Sequence, residues 1–136
     1  MRDLALRDAV ETTVLRQNRV RCDHGWDIDL DDGCSNYLVE DNLCLAGGLK
    51  FREGFCRIAR GNRLINNTFH PHVWFENSGD VFEGNLVMRP YLPIGMPERW
   101  GERVDGNLLA VASGPERPAA ELARLSGQDE SSIARP

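Results

Sequence analysis

Apolar and polar residues alternate in several short segments of the chain. In residues 26–31 the apolar positions are Ile28 and Leu30, and in residues 49–52 they are Leu49 and Phe51. Side chains on a β-strand point alternately to its two faces, so this alternation predicts strands with one buried face. Glycines follow these segments and are predicted to turn the chain.

Five asparagines recur at a nearly constant interval. They are Asn18, Asn42, Asn62, Asn85 and Asn107, and the intervals are 24, 20, 23 and 22 residues. The residue three positions before each Asn and the residue two positions after it are apolar in most of the five instances. Helical repeats need about 33 residues or more and do not alternate in twos. The sequence therefore predicts an all-β fold, a right-handed parallel β-helix of about five coils with about 22 residues per coil.

Stacked coils also explain why the recurring residue is Asn. Neighbouring coils lie about 4.8 Å apart, so one residue type at the same place in every coil forms a ladder. An Asn amide can donate to one neighbour and accept from the other while it bonds the backbone at a bend. The alternative is a series of separate turns in an antiparallel sheet. Three of the asparagines follow a glycine, which reverses the favoured hairpin order and favours the solenoid.

The repeat divides one domain of 136 residues into three parts. Residues 1–12 are expected to be a ragged N-terminal edge, residues 13–114 the coils, and residues 115–136 a C-terminal extension that appears truncated because nothing in it caps a solenoid. Pro118–Leu125 has the pattern of one short helix. Residues 89–100 contain three prolines, which remove ladder donors, and are predicted to form a loop.

Composition and charge argue against some partners. The net charge of -5 and the pI near 5.2 disfavour nucleic acid and anionic membrane surfaces, both of which attract basic stripes. The first eight residues contain no apolar run, so neither a signal peptide nor a membrane span is predicted. As written, the chain is expected to be cytoplasmic.

The four cysteines follow the same repeat. Cys22 and Cys44 are 22 residues apart, and so are Cys34 and Cys56. They form no Cys-x-x-Cys pair, which argues against a structural zinc site. Stacked free thiols are favoured over disulfides between neighbouring turns, because no export signal is evident.

Polar positions of the central strands hold unusually reactive side chains. If the alternation is regular, and if Val73 and Phe75 are buried, one sheet displays these side chains within roughly 10 Å. The set consists of Asp27, Asp29, Asp31, Lys50, Arg52, His72, Trp74 and Glu76. Such a mixture predicts a binding face that has both acid and base.

Three motifs carry a resemblance to a known family. They are Asp-His-Gly-Trp-Asp-Ile-Asp-Leu-Asp-Asp-Gly-Cys-Ser-Asn-Tyr at 23–37, Lys-Phe-Arg-Glu-Gly-Phe at 50–55, and Asn-Asn-Thr-Phe-His-Pro-His-Val-Trp-Phe at 66–75. The chain resembles bacterial right-handed β-helix proteins of the pectin-lyase-like superfamily, including glycoside hydrolases of the β-xylosidase type. The resemblance covers about residues 10–134. It implies a carbohydrate-active protein with an Asp on one coil and a Glu on the next, and a fragment of a longer enzyme.

Glycoside hydrolysis is the favoured function, with an oligo- or polysaccharide as substrate and no cofactor. It needs two carboxyl groups about 5–5.5 Å apart for retention or about 6.5–9.5 Å apart for inversion. Asp29 or Asp31 is the predicted nucleophile. Lys50 and Arg52 are expected to hold it ionised. Glu53 is the predicted acid/base, with a pKa raised by the nearby Asp charge and by partial burial, if the turn has begun at that residue.

The remaining polar residues are assigned to substrate binding. Tryptophans can stack on a sugar ring, and histidines can bond its hydroxyls. The predicted substrate-binding residues are His24, Trp26, Asp27, Lys50, Arg52, His70, His72, Trp74 and Glu76. The simpler interpretation is a solvated acidic turn, histidines that bond within turns, and tryptophans that pack.

Two other functions fit the same residues. In a polysaccharide lyase, Asp27, Asp29 and Asp31 would hold Ca²⁺. Lys50 or Arg52 would then take the proton beside a uronate carboxylate. The third hypothesis is a non-catalytic structural or carbohydrate-binding solenoid. Whatever the chemistry, the open strand edges at both ends are expected to pair with other copies of the chain.

Overall fold

The computed structural model describes residues 2–3, 7, 9–72, 75, 77–91, 101–110 and 127–135. In these ranges the chain forms fourteen strands and almost no helix. The strands wind into a parallel β-solenoid of about four turns, with about 22 residues per turn, which confirms the predicted fold class. No helix in the described ranges is long and apolar enough to cross a membrane.

The described residues form three parallel sheets; the first three coils contribute a strand to each sheet, and the later strands belong to sheets A and B. Sheet A contains β1 (Thr13–Arg16), β4 (Tyr37–Glu40), β7 (Ile58–Arg60), β10 (Val81–Glu83) and β12 (Arg103–Asp105). Sheet B contains β2 (Arg19–Val20), β5 (Leu43–Cys44), β8 (Arg63–Leu64), β11 (Leu86–Val87), β13 (Leu108–Ala110) and β14 (Ile133–Arg135). Sheet C contains β3 (Ile28–Leu30), β6 (Leu49–Phe51) and β9 (Phe69–Pro71).

The register stacks equivalent apolar residues into columns that fill the interior. The column of sheet A consists of Leu15, Val39, Ala59, Phe82 and Val104. The column of sheet B consists of Val20, Cys44, Leu64, Val87 and Leu109. Beyond the first coil, every member is at most 1 % exposed. Since burial of one large apolar side chain contributes about 1.5–3 kcal/mol, these columns are the main source of stability.

The asparagines stand at the bend between sheets A and B and form the predicted ladder. The backbone N–H and the Nδ2 of each Asn from Asn18 to Asn85 donate to the Oδ1 of the Asn one coil further on, at 2.9–3.2 Å. Nδ2 also reaches a strand carbonyl, as in the 2.9 Å bond from Asn62 to Val39. From Asn42 to Asn107 the ladder residues are 1 % exposed, so the ladder satisfies polar groups that the bend buries.

The residue before each ladder Asn has a positive φ. The angles are 57° at Gln17, 55° at Asp41, 64° at Gly61, 61° at Gly84 and 66° at Gly106. Glycine adopts this left-handed conformation without the steric cost that a Cβ brings. The backbone of the bend therefore explains the order Gly-Asn in three of the five coils.

Sheet B continues past the fifth ladder Asn. In β14, Ile133 aligns with Leu108 of β13. The Oγ of Ser132 takes the place of a sixth ladder Asn, because it accepts the Asn107 N–H at 2.7 Å. This strand was not predicted, since the sixth position lacks an Asn. The helix expected at 118–125 lies outside the described residues.

The four cysteines are free thiols, as the favoured interpretation expected. Cys44 is buried, and the other three are partly exposed. Burial raises the pKa of Cys44 to about 12, which keeps its thiol protonated and unreactive at neutral pH.

Candidate functional site

Sheet C places polar side chains on its outer face in two rows. Its buried inward positions are Ile28, Leu30, Leu49, Phe51, Phe69 and Pro71. Between them, Asp29, Lys50 and His70 align across the three strands as the first outward row. The residues just after the strands, Asp31, Arg52 and His72, continue the alternation as a second row. We call these six residues the sheet C face.

Two cations hold the aspartates of the sheet C face. The Nζ of Lys50 lies 3.2 Å from Asp29 Oδ1 and 2.7 Å from Asp31 Oδ2. The Nη1 of Arg52 lies 3.1 Å from Asp31 Oδ1. The hydrogen bond from Lys50 is the largest cause that lowers the pKa of Asp31 to about 2, and the Asp32 N–H and Arg52 add to it. Asp31 is therefore ionised throughout the neutral range.

Glu53 lies beside Asp31, at the turn after β6. One carboxylate oxygen from each of Asp31, Asp32 and Glu53 lies within 4.8 Å of the other two. Arg52 pairs with all three, and its Nε is 3.1 Å from Glu53 Oε2. That oxygen is buried, and no residue in the described ranges gives it a hydrogen bond of good geometry. Glu53 thus lies beside Asp31, and Lys50 contacts both Asp31 and Asp29.

Trp26 covers one end of the sheet C face. Its ring centroid is 4.2 Å from that of His70 and 5.6 Å from that of His72. Lys50 Nζ lies 5.6 Å from the Trp26 ring, a distance that allows a cation–π contact. Lys50 is consequently only 7 % exposed although it belongs to the outward row.

Both histidines of the sheet C face are neutral near pH 7. Burial, followed by the charge of His72, lowers the pKa of His70 to about 4. Burial and the two cations of the face lower the pKa of His72. The Nε2–H of His70 donates to Asn67 Oδ1 at 3.0 Å, because that oxygen also accepts the Thr68 N–H and can only accept. Neutral imidazoles can form hydrogen bonds with a ligand without competing as cations with Lys50 and Arg52 for the aspartates.

A buried ion pair supports the turn that carries Arg52 and Glu53. Arg57 Nη2 lies 2.7 Å from Asp80 Oδ2, and both side chains are 0 % exposed. The guanidinium also donates to the carbonyl oxygens of Leu30 and Arg52. Arg57 therefore connects the core to the backbone beneath the carboxylate pair.

Asp27 is an exception to the predicted outward face, and the expectation that it points outward is wrong. Its carboxylate is buried and accepts four backbone N–H groups at 2.6–3.0 Å. The donors are Cys22, Ala46, Gly47 and Gly48. These bonds tie the first coil to the second and occupy both carboxylate oxygens. Asp27 therefore serves the fold and does not join a calcium or substrate site on the sheet C face.

The other predicted site residues lie elsewhere. His24 is exposed in the bend before β3. Trp74 and Glu76 lie outside the described residues, as does Val73. Phe75 is partly buried and stacks on Phe55, with centroids 5.5 Å apart.

Two residues of the site were not predicted from the sequence. Asp32 has a φ of 44° and lies 3.2 Å from Arg52 Nη1. Asn67 orients His70. The turn sequence Asp31-Asp32-Gly33 carried the only available signal for Asp32, whereas nothing in the spacing of Asn67 separates it from an ordinary bend residue.

Comparisons with known proteins leave the class of the protein at the level of its fold. No family model matches the chain, and no curated protein or solved structure matches it. The chain is a parallel β-solenoid with a charged and aromatic outer face on sheet C. The parallel β-solenoid agrees with a β-helix fold, whereas the resemblance to the pectin-lyase-like superfamily and to the β-xylosidase type stays a prediction.

Proposed function

We propose that the sheet C face binds an oligo- or polysaccharide and hydrolyses a glycosidic bond in it. The observation that carries the proposal is the pair of oxygens from Asp31 and Glu53, which lie within 4.8 Å of each other on adjacent coils. Retaining glycosidases use carboxyl groups about 5–5.5 Å apart, and inverting enzymes need a wider separation to admit a water. The spacing favours retention.

Asp31 has the properties of the nucleophile. Its carboxylate is ionised, since hydrogen bonds from Lys50 and Arg52 lower its pKa to about 2. It would attack the anomeric carbon while the glycosidic bond breaks, forming a glycosyl ester. Water would then cleave that ester and restore the free carboxylate.

Glu53 is the acid/base of this proposal. It would protonate the departing oxygen in the first step and take a proton from water in the second. A carboxylate paired with a cation is a poor proton donor. Arg52 Nε, now 3.1 Å from Glu53, must therefore move towards Asp31, Asp32 or the sugar when substrate binds.

The rest of the face would position the sugar. Trp26 offers an aromatic ring next to the carboxylates, and sugars commonly pack on such rings through their C–H faces. His70 and His72 are neutral at pH 7 and can bond hydroxyl groups. These contacts would fix the anomeric carbon near Asp31.

The test is hydrolysis of a panel of nitrophenyl glycosides, xyloside included, in the presence of EDTA. We expect turnover that falls about 100-fold or more in Asp31→Asn and in Glu53→Gln. The matched control is Glu40→Gln, which removes a carboxylate charge on sheet A, where Glu40 pairs with Arg60. Absence of turnover on every glycoside, or equal losses in the control, would refute the proposal.

A calcium-dependent polysaccharide lyase is the second candidate. The observation in its favour is the same oxygen cluster of Asp31, Asp32 and Glu53, since Ca²⁺ binds several carboxylate oxygens. Asp32 and Glu53 here replace the predicted ligands Asp27 and Asp29. A cation would have to displace Arg52, which would then be released to act as base. Ca²⁺-dependent absorbance from an unsaturated product on polyuronate would select this function.

A further inference from the structure

Arg57 contacts the backbone beneath both members of the carboxylate pair. Its Nη1 donates to the carbonyl oxygen of Leu30, at 3.5 Å, and to that of Arg52. Leu30 comes directly before Asp31 in the sequence. In the same way, Arg52 comes directly before Glu53. One guanidinium nitrogen thus binds the backbone next to each of the two carboxylates.

The guanidinium of Arg57 is fixed from its other side. Its Nε and Nη2 donate to the two carboxylate oxygens of Asp80, at 3.1 and 2.7 Å. Both side chains are 0 % exposed, and the Phe51 ring lies 4.6 Å from Arg57 Cζ. Because such a bidentate pair fixes the plane of the guanidinium, Nη1 stays directed at the two carbonyl oxygens.

Gly54 leaves room for this nitrogen. A Cβ at Gly54 would lie 2.9 Å from Arg57 Nη1 and 2.2 Å from the carbonyl oxygen of Cys34. A larger residue would therefore displace the guanidinium or the backbone. The turn that carries Glu53 is closely packed against Arg57.

The strands alone do not explain why the two carboxylates meet. β6 ends at Phe51, and alternation beyond it would direct Arg52 outward and Glu53 to the opposite face. The chain turns here instead, and an oxygen of Glu53 lies within 4.8 Å of one of Asp31. A contact from the core to this turn can therefore decide where Glu53 lies relative to Asp31.

We propose that Arg57 is a positioning residue of the hydrolysis, which holds Asp31 and Glu53 at the separation that retention requires. This role rests on the proposed function, since it assigns Arg57 a part in that reaction. Because the side chain is 0 % exposed, it acts through the carbonyls of Leu30 and Arg52 and not on the sugar. Without the guanidinium, the two carboxylates should move beyond the separation of about 5–5.5 Å found in retaining enzymes.

The test measures kcat and KM on nitrophenyl glycosides for Arg57→Met combined with Asp80→Ala. Removing both charges of a buried pair costs far less stability than removing one, and circular dichroism would verify that the variant is folded. We expect kcat to fall about 30-fold or more, because a misplacement of about 1 Å can cost about 100-fold. KM should change less than about threefold, since the sugar loses no contact. The matched control is Asn62→Ala, which removes buried hydrogen bonds at the bend between sheets A and B and should leave kcat unchanged.

A second variant covers the case in which the double variant does not fold. Arg57→Lys keeps a cation for Asp80, but its single nitrogen cannot bind Asp80 and both carbonyls as the planar guanidinium does. We expect kcat to fall about tenfold in this variant, again with KM nearly unchanged.

Crystal structures of the variants measure the separation without substrate. The oxygens of Asp31 and Glu53 that lie within 4.8 Å in the wild type should be further apart in the Arg57 variants and unchanged in Asn62→Ala. An unchanged separation, or kcat at the wild-type value in a folded Arg57 variant, would overturn the inference and leave the proposed function intact. Absence of turnover by the wild type would instead refute the proposed function, and the variant structures would still decide whether Arg57 sets the separation.

Discussion

Replacement of Asn62 by alanine tests the Asn ladder at its centre. The Oδ1 of Asn62 accepts the backbone N–H and the Nδ2 of Asn42, both at 3.0 Å. Its Nδ2 donates to Val39 at 2.9 Å, to Arg60 at 3.2 Å and to Asn85 at 3.0 Å. The substitution removes all five bonds and leaves the buried N–H of Asn42 and the buried carbonyl of Val39 without these partners.

The loss of stability follows from the buried Asn42 N–H, which loses its acceptor, and from the four other lost hydrogen bonds, each worth about 0.5–1.5 kcal/mol net. Each buried polar group left unsatisfied costs about 1–3 kcal/mol. Local rearrangement recovers part of this, and losses above about 4–5 kcal/mol are exceptional for one substitution. We therefore expect Asn62→Ala to lower the free energy of unfolding by about 3–4 kcal/mol.

The matched control is Asn18→Ala at the exposed start of the ladder. Asn18 donates twice to Asn42 Oδ1, but no donor in the described ranges contacts its own Oδ1. The side chain is exposed, so water replaces the lost bond. We expect a loss of about 1 kcal/mol or less.

Urea unfolding followed by far-UV circular dichroism measures both losses. The dependence of unfolding free energy on urea should be the same for both variants and the wild type, which shows that the same surface is exposed. Equal losses for Asn62→Ala and Asn18→Ala would refute the argument that burial gives the ladder its stabilising effect.

Three further predictions concern the core and the sheet C face. A Cβ on Gly47 would lie 2.1 Å from a backbone oxygen. A Cβ on Gly84 would meet no atom of the other described residues within 4 Å, apart from its chain neighbours. Gly47→Ala should therefore prevent stable folding at ordinary temperatures, and Gly84→Ala should cost about 1 kcal/mol in urea unfolding from its φ of 61° alone. Asp80→Ala leaves the buried Arg57 unpaired and should cost about 3–5 kcal/mol by urea unfolding. Combining it with Arg57→Met should recover much of that loss, and no recovery would contradict the cause given. The unfolded chain takes up a proton at His70 near its ordinary pKa of 6.5, but the folded chain does so only at about 4. The free energy of unfolding should therefore decrease as the pH falls from about 6.5 to about 4. In His70→Gln this contribution should be absent, so the urea midpoint should decrease less over the same pH range.

The fold could be predicted because the solenoid repeats its requirements in every coil. One Asn at each bend and two inward apolar columns give the sequence a period, and the left-handed residue before the Asn selects glycine in Gly61 and Gly84. β14 escaped this pattern because Ser132 performs the role of the ladder Asn with a different side chain. A search for a repeating Asn does not find a Ser at the equivalent position.

The site was only partly predictable because alternation holds only along a regular strand. It placed Asp29, Lys50 and Arg52 on the outer face correctly. It failed at Asp27, because β3 begins one residue later and the carboxylate binds backbone N–H groups of the next coil. The contact between Trp26 and His70 joins the first coil to the third. The coil between them has glycines, Gly47 and Gly48, next to this contact, and alternation along one strand does not predict such a contact between coils.

The most direct test of the proposed function is covalent trapping of the nucleophile. A 2-fluoro sugar with a good leaving group forms a stable ester with a retaining glycosidase, because the fluorine slows its hydrolysis. We would treat the chain with gluco, xylo and galacto forms of this reagent and locate any label by mass spectrometry of peptides. The account predicts one label, on Asp31, that is absent in Asp31→Asn and present in Glu40→Gln. A label on another residue would contradict the assignment of Asp31 as nucleophile. So would the absence of a label with a reagent whose sugar the chain hydrolyses in the nitrophenyl glycoside panel.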